Sequence, residues 1–421
     1  MTEAKDSGGL EQLTFTDRLL LAALWFALLI ANSGIFWRDL QQTGLKHAVG
    51  VIALAAGGLY MLSQRIARPQ WPKLSSKALF AWAWLFLLSI YIIVGSIYAR
   101  IVLDFDETFL IVGLYILIGG SYALCLRRDN TIQVARHLFL ALLVFAVLIA
   151  LDTIHARAVD FSVKDTVIHE REFLVIPLLY LLTVENAISR KWRWIVAIVI
   201  VGASFAAMKN TPTIVLAVTV AAIAWRLAFT LRSRGVQPIR MYAAVYATLL
   251  CSLVLVAGYY YYSSTVIKFT PPGNIDFRLH QYEVAWKEFQ EAPVFGKFFT
   301  GETGIDFSLW ADPRFGGTAL PTHSDVLDLL RGGGAVAFLL WFTAITIAHV
   351  RAVLELHRAR REHRWREGHD LLTWLVLTNL SAVVVYSFNP LLAKTGLALM
   401  IWICYGLMIA MTERVRVEIV E

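Results

Sequence analysis

Residues 321–334 read Pro-Thr-His-Ser-Asp-Val-Leu-Asp-Leu-Leu-Arg-Gly-Gly-Gly, with His323, Ser324 and Asp325 near the start and Gly332, Gly333 and Gly334 at the end. Ahead of them the chain is irregular and turn-rich, with Pro313, Gly316, Gly317 and Pro321. Beyond them, residues 333–350 are almost wholly apolar. The pattern predicts a helix that starts at a polar surface and runs into a membrane. His323 then sits at the helix start, anchored by the span below and open to water above. The stretch closes a polar segment, 264–334, which follows nine hydrophobic runs and precedes three more.

Composition agrees with a membrane-embedded chain. Of the 421 residues, 58% are hydrophobic and only 16% charged, against about 25% charged in soluble domains. Mean hydropathy is +0.62. Twelve apolar runs are expected as spans, at 19–36, 47–62, 78–97, 108–126, 137–154, 173–188, 195–209, 212–231, 241–262, 333–350, 371–388 and 395–412. The fold class is all-α and polytopic. Cys125, Cys251 and Cys404 all fall within apolar runs, without metal-binding spacing. The first 17 residues lack a basic n-region and a cleavage site, so the first span is expected to stay as an anchor.

The net charge of +7 sits mostly in short loops, where it orients the chain rather than binding nucleic acid. Basic residues fill every second loop: Arg65, Arg68, Lys73 and Lys77; Arg127, Arg128 and Arg136; Arg190, Lys191 and Arg193; Arg232, Arg234 and Arg240; then Arg351, Arg358, Arg360, Arg361, Arg364 and Arg366. The alternation places these loops and both termini in the cytoplasm. It divides the chain into a cytoplasmic tail (1–18), nine spans (19–262), an outer loop (263–332), three spans (333–412) and a second tail (413–421).

Charge also collects on the outer side. Residues 98–107 hold Arg100, Asp104, Asp106 and Glu107, and residues 155–172 hold His155, Arg157, Lys164, Asp165, His169, Glu170, Arg171 and Glu172. Lys209 begins a tight outer turn ending at Pro212. Within the long loop, Pro271-Pro272-Gly273 breaks the chain, and a helix is expected over 277–291 with Asp276 as its N-cap. Phe277, Val284, Ala285 and Phe289 form one face; Arg278, Gln281 and Glu288 fall on another. Pro293 and Gly296 end the helix, and Gly301 follows.

In its order of motifs the chain resembles the O-antigen ligase and polymerase superfamily of polytopic glycosyltransferases. Four features carry the likeness: the span pattern with one long outer loop; Arg278 opening an amphipathic helix that includes Trp286; the Pro293-Val294-Phe295-Gly296 turn; and His323 before an apolar helix that reaches Gly332 to Gly334. Three features depart from it. Ser324 stands where the family commonly has Asn, Met208-Lys209-Asn210 stands where a Ser-Arg pair is common, and no Asn-Pro-Asn element is visible near the sixth span.

The resemblance implies a GT-C-like fold in the bacterial inner membrane, with its site facing the periplasm. It also implies transfer of a glycan from undecaprenyl diphosphate to an acceptor hydroxyl, with lipid A-core as the acceptor if the chain is a ligase. A diphosphate is already a good leaving group and needs positive charge rather than an acid. A metal-independent, inverting reaction without a cofactor is therefore expected. His323 is the expected base or acceptor-orienting group, and Asp325 would orient it. Arg278 would bind the diphosphate, helped by Arg171, Arg157 or Lys209. Each has a plainer reading: a helix-start His as a cap, Arg171 paired with Glu170 or Glu172, Lys209 snorkelling to the interface, and Asp325 as a helix-terminal charge. Membrane lipids and at most a weak homodimer are the remaining partners, with no nucleic acid. A polymerase is the alternative within the superfamily. A secondary transporter is the alternative outside it, disfavoured because the two halves do not look alike and the spans carry little mid-membrane charge.

Overall fold

An apolar run in lipid must satisfy its own backbone groups, which favours helix. A computed structural model of the chain describes residues 76–102, 175–184, 189–206, 274–299, 324–362, 364–365, 367–386 and 395–417, with isolated positions at 22, 59 and between 113 and 151. These residues are predominantly helical, and no strand occurs among them. The helices are α1 (Ser76–Val102), α2 (Val175–Thr183), α3 (Arg190–Ala206), α4 (Asn274–Glu291), α5 (Asp325–Arg361), α6 (Glu367–Tyr386) and α7 (Thr395–Val417).

Two of them, Ala78–Tyr98 within α1 and the whole of α5, are long and apolar enough to cross a membrane. The 37 residues of α5 would reach about 55 Å at 1.5 Å per residue, well beyond a hydrocarbon core of about 30 Å. That is more than a single span requires. The runs expected at 19–36, 47–62, 212–231 and 241–262 lie outside the described residues, and those at 108–126 and 137–154 are represented by scattered helical positions.

Helix boundaries differ from expectation in several places, most at α5, which runs past 350 to Arg361 and so carries Arg351, Arg358, Arg360 and Arg361, expected in a loop. Of the run at 173–188, the described residues are helical over Val175–Thr183 and leave the helix at Val184. The helix α3 starts at Arg190 rather than 195, where Arg193 N–H donates to Ser189 O at 3.0 Å and extends the helix into the basic-aromatic Arg190–Trp194 segment. At the other end of the chain α7 continues to Val417, through residues expected to be tail, because Glu413 pairs with Arg351 of α5.

The centre of the fold is α5, which packs against α1, α4, α6 and α7, while α6 also packs against α7 and α2. Its buried face carries Ala337, Ala344, Ala348, Ala352 and Ala359. Small residues let helix backbones approach closely in a membrane, and Tyr405 of α7 comes near enough to donate its hydroxyl to Ala344 O at 2.7 Å. Trp374 of α6 donates to Ile176 O of α2 at 2.9 Å and meets Tyr180 edge to face. Each bond meets a polar group that would otherwise be buried without a partner, a loss of about 1–3 kcal/mol.

Candidate functional site

The site is built where the C-terminal end of α4, the turn after it and the outer end of α5 meet α1. The helix α4 begins at Asn274, so Asp276 lies in its first turn rather than at its cap. Its inward side is mixed: Gln281 is fully buried, Ala285 is 1% exposed, and Glu288 reaches Arg331 of α5. Trp286, in contrast, is 46% exposed and packs on Phe289 with ring centroids 5.1 Å apart. Positions 281, 285 and 288 follow helical spacing, and Arg278 lies one turn before Gln281 in the same register.

At its outer end α5 is capped by Ser324, whose extended backbone (φ −156°, ψ 104°) lets its hydroxyl accept from Leu327 N–H at 3.4 Å. Asp325 and Asp328 occupy the first turn, where the helix dipole favours negative charge. Asp325, Asp328 and Arg331 are only 3–4% exposed. Charge buried to this depth persists where it is paired. Arg331 Nε lies 3.3 Å from Glu288 Oε2, Lys297 Nζ lies 3.6 Å from Glu288 Oε1, and Lys297 also reaches Glu291 at 3.3 Å. Glu288 thus sits between two cations and ties α4 to both α5 and the turn.

The turn, 292–299, crosses α5 at its three glycines. Gly334 interrupts the helix with φ +64° and ψ −165°, and Gly296 has φ +61°. Their backbones touch: a Cβ on Gly296 would lie 2.5 Å from Gly334 N, and one on Gly334 would run into Val294 O and Gly296 N. A helix break leaves backbone groups without partners. Here Ala335 N–H donates to Pro293 O (2.9 Å) and Val336 N–H to Val294 O (3.1 Å). Arg331 O accepts from Lys297 N–H (3.0 Å) and Gly332 O from Phe299 N–H (2.8 Å). Tyr91 of α1 completes the set, its hydroxyl lying 2.8 Å from Phe295 O and 3.1 Å from Gly333 O. The Phe299 ring fills a slot made by Gly95, Gly332 and Gly333, where added Cβ atoms would lie 2.8, 2.5 and 2.7 Å from it.

The structure therefore joins the helix bearing Arg278 to the helix that starts at Asp325, through one ion-pair cluster and one backbone crossing. Asp325 is the first residue of α5, directly after the Ser324 cap. His323, Arg171, Arg157 and Lys209 lie outside the described residues. Sequence reading missed Arg331, Lys297 and Tyr91. Arg331 offered a signal, a lone cation in an apolar helix just before three glycines, whereas Tyr91 is an ordinary mid-span tyrosine by pattern. The metal-independent expectation also passes over Asp104-Phe105-Asp106, an Asp-x-Asp pair in a loop expected on the outer side and outside the described residues. Among the described residues no three His, Cys, Asp or Glu side chains are grouped to hold a metal ion.

A family model described as O-antigen ligase matches residues 195–342. The match takes in most of α3, all of α4, the turn and the outer part of α5, which together hold the glycine crossing and the Glu288 cluster. No curated protein matches the chain. Over residues 195–342 the chain is similar to the O-antigen ligase family.

Proposed function

We propose that the chain is a metal-independent inverting glycosyltransferase of the inner membrane, an O-antigen ligase moving glycan from undecaprenyl diphosphate to lipid A-core on the periplasmic face. The observation that carries this reading is the coincidence of the family match with the α4–turn–α5 unit. The match alone supports a ligase or a polymerase. One enlarged outer loop, rather than two, favours the ligase. The reading includes twelve spans in a GT-C-like arrangement, both termini in the cytoplasm and 263–332 as the catalytic loop.

In this mechanism His323 takes the proton of the acceptor hydroxyl as that oxygen attacks the anomeric carbon from the face opposite the diphosphate. The bond from that carbon to the diphosphate oxygen breaks, and undecaprenyl diphosphate leaves with both electrons. Arg278, aided by Arg171, Arg157 or Lys209, holds the departing charge, a task suited to guanidinium groups at a low-dielectric boundary. Asp325, buried beside the cap, keeps His323 oriented. The Glu288 cluster and the glycine crossing hold Arg278 and His323 in register.

The test is transfer by purified full-length protein in nanodiscs, given undecaprenyl-diphosphate-linked glycan and lipid A-core, with EDTA or with added Mg²⁺ or Mn²⁺. Glycan on lipid A-core in EDTA, abolished by His323→Ala, is expected. Longer glycans still on undecaprenyl diphosphate would make the chain a polymerase. Transfer only with added metal would shift attention to Asp104 and Asp106. No transfer to either acceptor from folded, donor-binding protein would reopen transport.

A further inference from the structure

The turn that crosses α5 presents its apolar side chains outward. Val294 is 54% exposed, Phe295 50% and Phe298 41%. Phe295 and Phe298 stack, with ring centroids 5.7 Å apart, and Phe298 leans on Tyr91 (6.1 Å) and Tyr98 (6.4 Å) of α1. The conformation that produces this is strained. Phe298 and Phe299 have φ of 51° and 55°, a region bulky residues rarely occupy and hold only where their surroundings impose it. For Phe299 the reason is plain, since its ring is locked into the glycine slot. For Phe298 the same backbone leads to an exposed aromatic ring.

What covers that ring can be read from the helix beside it. The outward side of α1 carries Leu87, Ile90, Val94, Ile97 and Tyr98, each 42–58% exposed and three or four residues from the next along most of the row. On a helix long and apolar enough to cross a membrane, such a row faces hydrocarbon. Phe298 touches its last member and also Tyr91, so the turn widens the row beside the final two turns of the span. Aromatic rings concentrate at that depth, where hydrocarbon gives way to headgroups. The nearest charge on the turn, Lys297, is drawn back to Glu288 and Glu291.

We propose that the 293–298 turn is a lipid-contacting surface, with Val294, Phe295 and Phe298 immersed in the outer-leaflet interface of the bilayer. A segment expected to be a loop in water is then a membrane anchor, and it sets the depth of the glycine crossing and of the start of α5. The proposal needs the chain to span a membrane but does not depend on glycan transfer.

Nitroxide labels at Val294→Cys and Phe298→Cys, each in full-length protein in phosphatidylethanolamine–phosphatidylglycerol nanodiscs, test it. Gln290→Cys, on an exposed position of α4, is the aqueous control, and the labelled parent chain gives the background from native cysteines. Collision with oxygen, which partitions into lipid, is expected to exceed collision with a water-soluble nickel chelate at 294 and 298, with the order reversed at 290. Val294 lies outside the strained pair, so its label reports even where Phe298→Cys does not fold. Nickel dominating at 294 would overturn the proposal. So would an immobile label reached by neither reagent, which would mean that protein covers the turn. Either result leaves the transfer assay untouched.

Discussion

The two ends of α5 both carry charge, and they hold it in opposite ways. At the outer end Asp325, Asp328 and Arg331 are buried almost completely, within ten residues of a break in the helix. At the inner end Arg358 is half exposed while its partner Glu355 is buried, Arg364 pairs with Glu362 where both reach water, and Arg360 lies over the Trp365 ring at 4.3 Å. Burying charge is unfavourable unless geometry compensates, whereas solvated arginines beside a membrane need no special device. Most of the arginines at the inner end reach water, and only Glu355 there is buried as deeply as the outer cluster. The outer end has been organised at an energetic disadvantage, and that is where the family match and the proposed chemistry fall.

The sharpest way to break this contrast is Gly334→Ala. The position combines φ +64° with ψ −165°, a conformation that is essentially restricted to glycine, and strain there costs about 1–3 kcal/mol before any clash. The added methyl would also meet Val294 O and Gly296 N, displacing the turn. The expected result is the largest of the set: loss of glycan transfer and a clearly lower thermal midpoint in detergent. Unchanged activity would show that the crossing does not support the site.

Next in size is the Glu288–Arg331 link. A double-mutant cycle of Glu288→Gln and Arg331→Met should give a coupling of about 1–3 kcal/mol in stability. Arg331→Lys should recover only part of it, because the Nε contact belongs to a planar fork. Additive single effects would mean that the pair does not couple α4 to α5.

A smaller effect is expected of Tyr91→Phe, which removes one hydroxyl and keeps the ring against Phe298 and Phe299. Phe295 O and Gly333 O lose their donor, so stability should fall by about 1 kcal/mol. Transfer should slow without vanishing, since four backbone bonds still hold the crossing.

These three sites also mark how far the sequence could be read. Hydropathy was enough to predict helix along the described spans at 78–97, 333–350, 371–388 and 395–412, because lipid leaves the backbone few alternatives. The helix after Pro271-Pro272-Gly273 and its end near Pro293 and Gly296 were visible in turn chemistry. Not visible was which face of α4 points inward. Ala285 of the expected apolar face is buried, but so is Gln281, and Glu288 reaches α5. The partner of Glu288, Arg331, comes some forty residues later in the chain. Nor does local pattern show that Gly296 meets Gly334 or that Phe299 needs Gly95, since these are close approaches between distant segments. For α2 the apolar run was legible but its end at Thr183 was not.

The inner end supplies the smallest expected effect and the control for all the others. Arg364 and Glu362 are 31% and 44% exposed at their side chains, and exposed ion pairs contribute about 0–1 kcal/mol. Arg364→Gln removes one of six arginines between 351 and 366, whose orienting role depends on their sum. Thermal midpoint, membrane orientation and glycan transfer should all stay near the parent values, measured by the same assays as the outer-end variants. A transfer loss as deep as that of Gly334→Ala, with orientation intact, would mean that charge at the inner end serves the reaction too, and the contrast between the two ends of α5 would no longer separate site from scaffold.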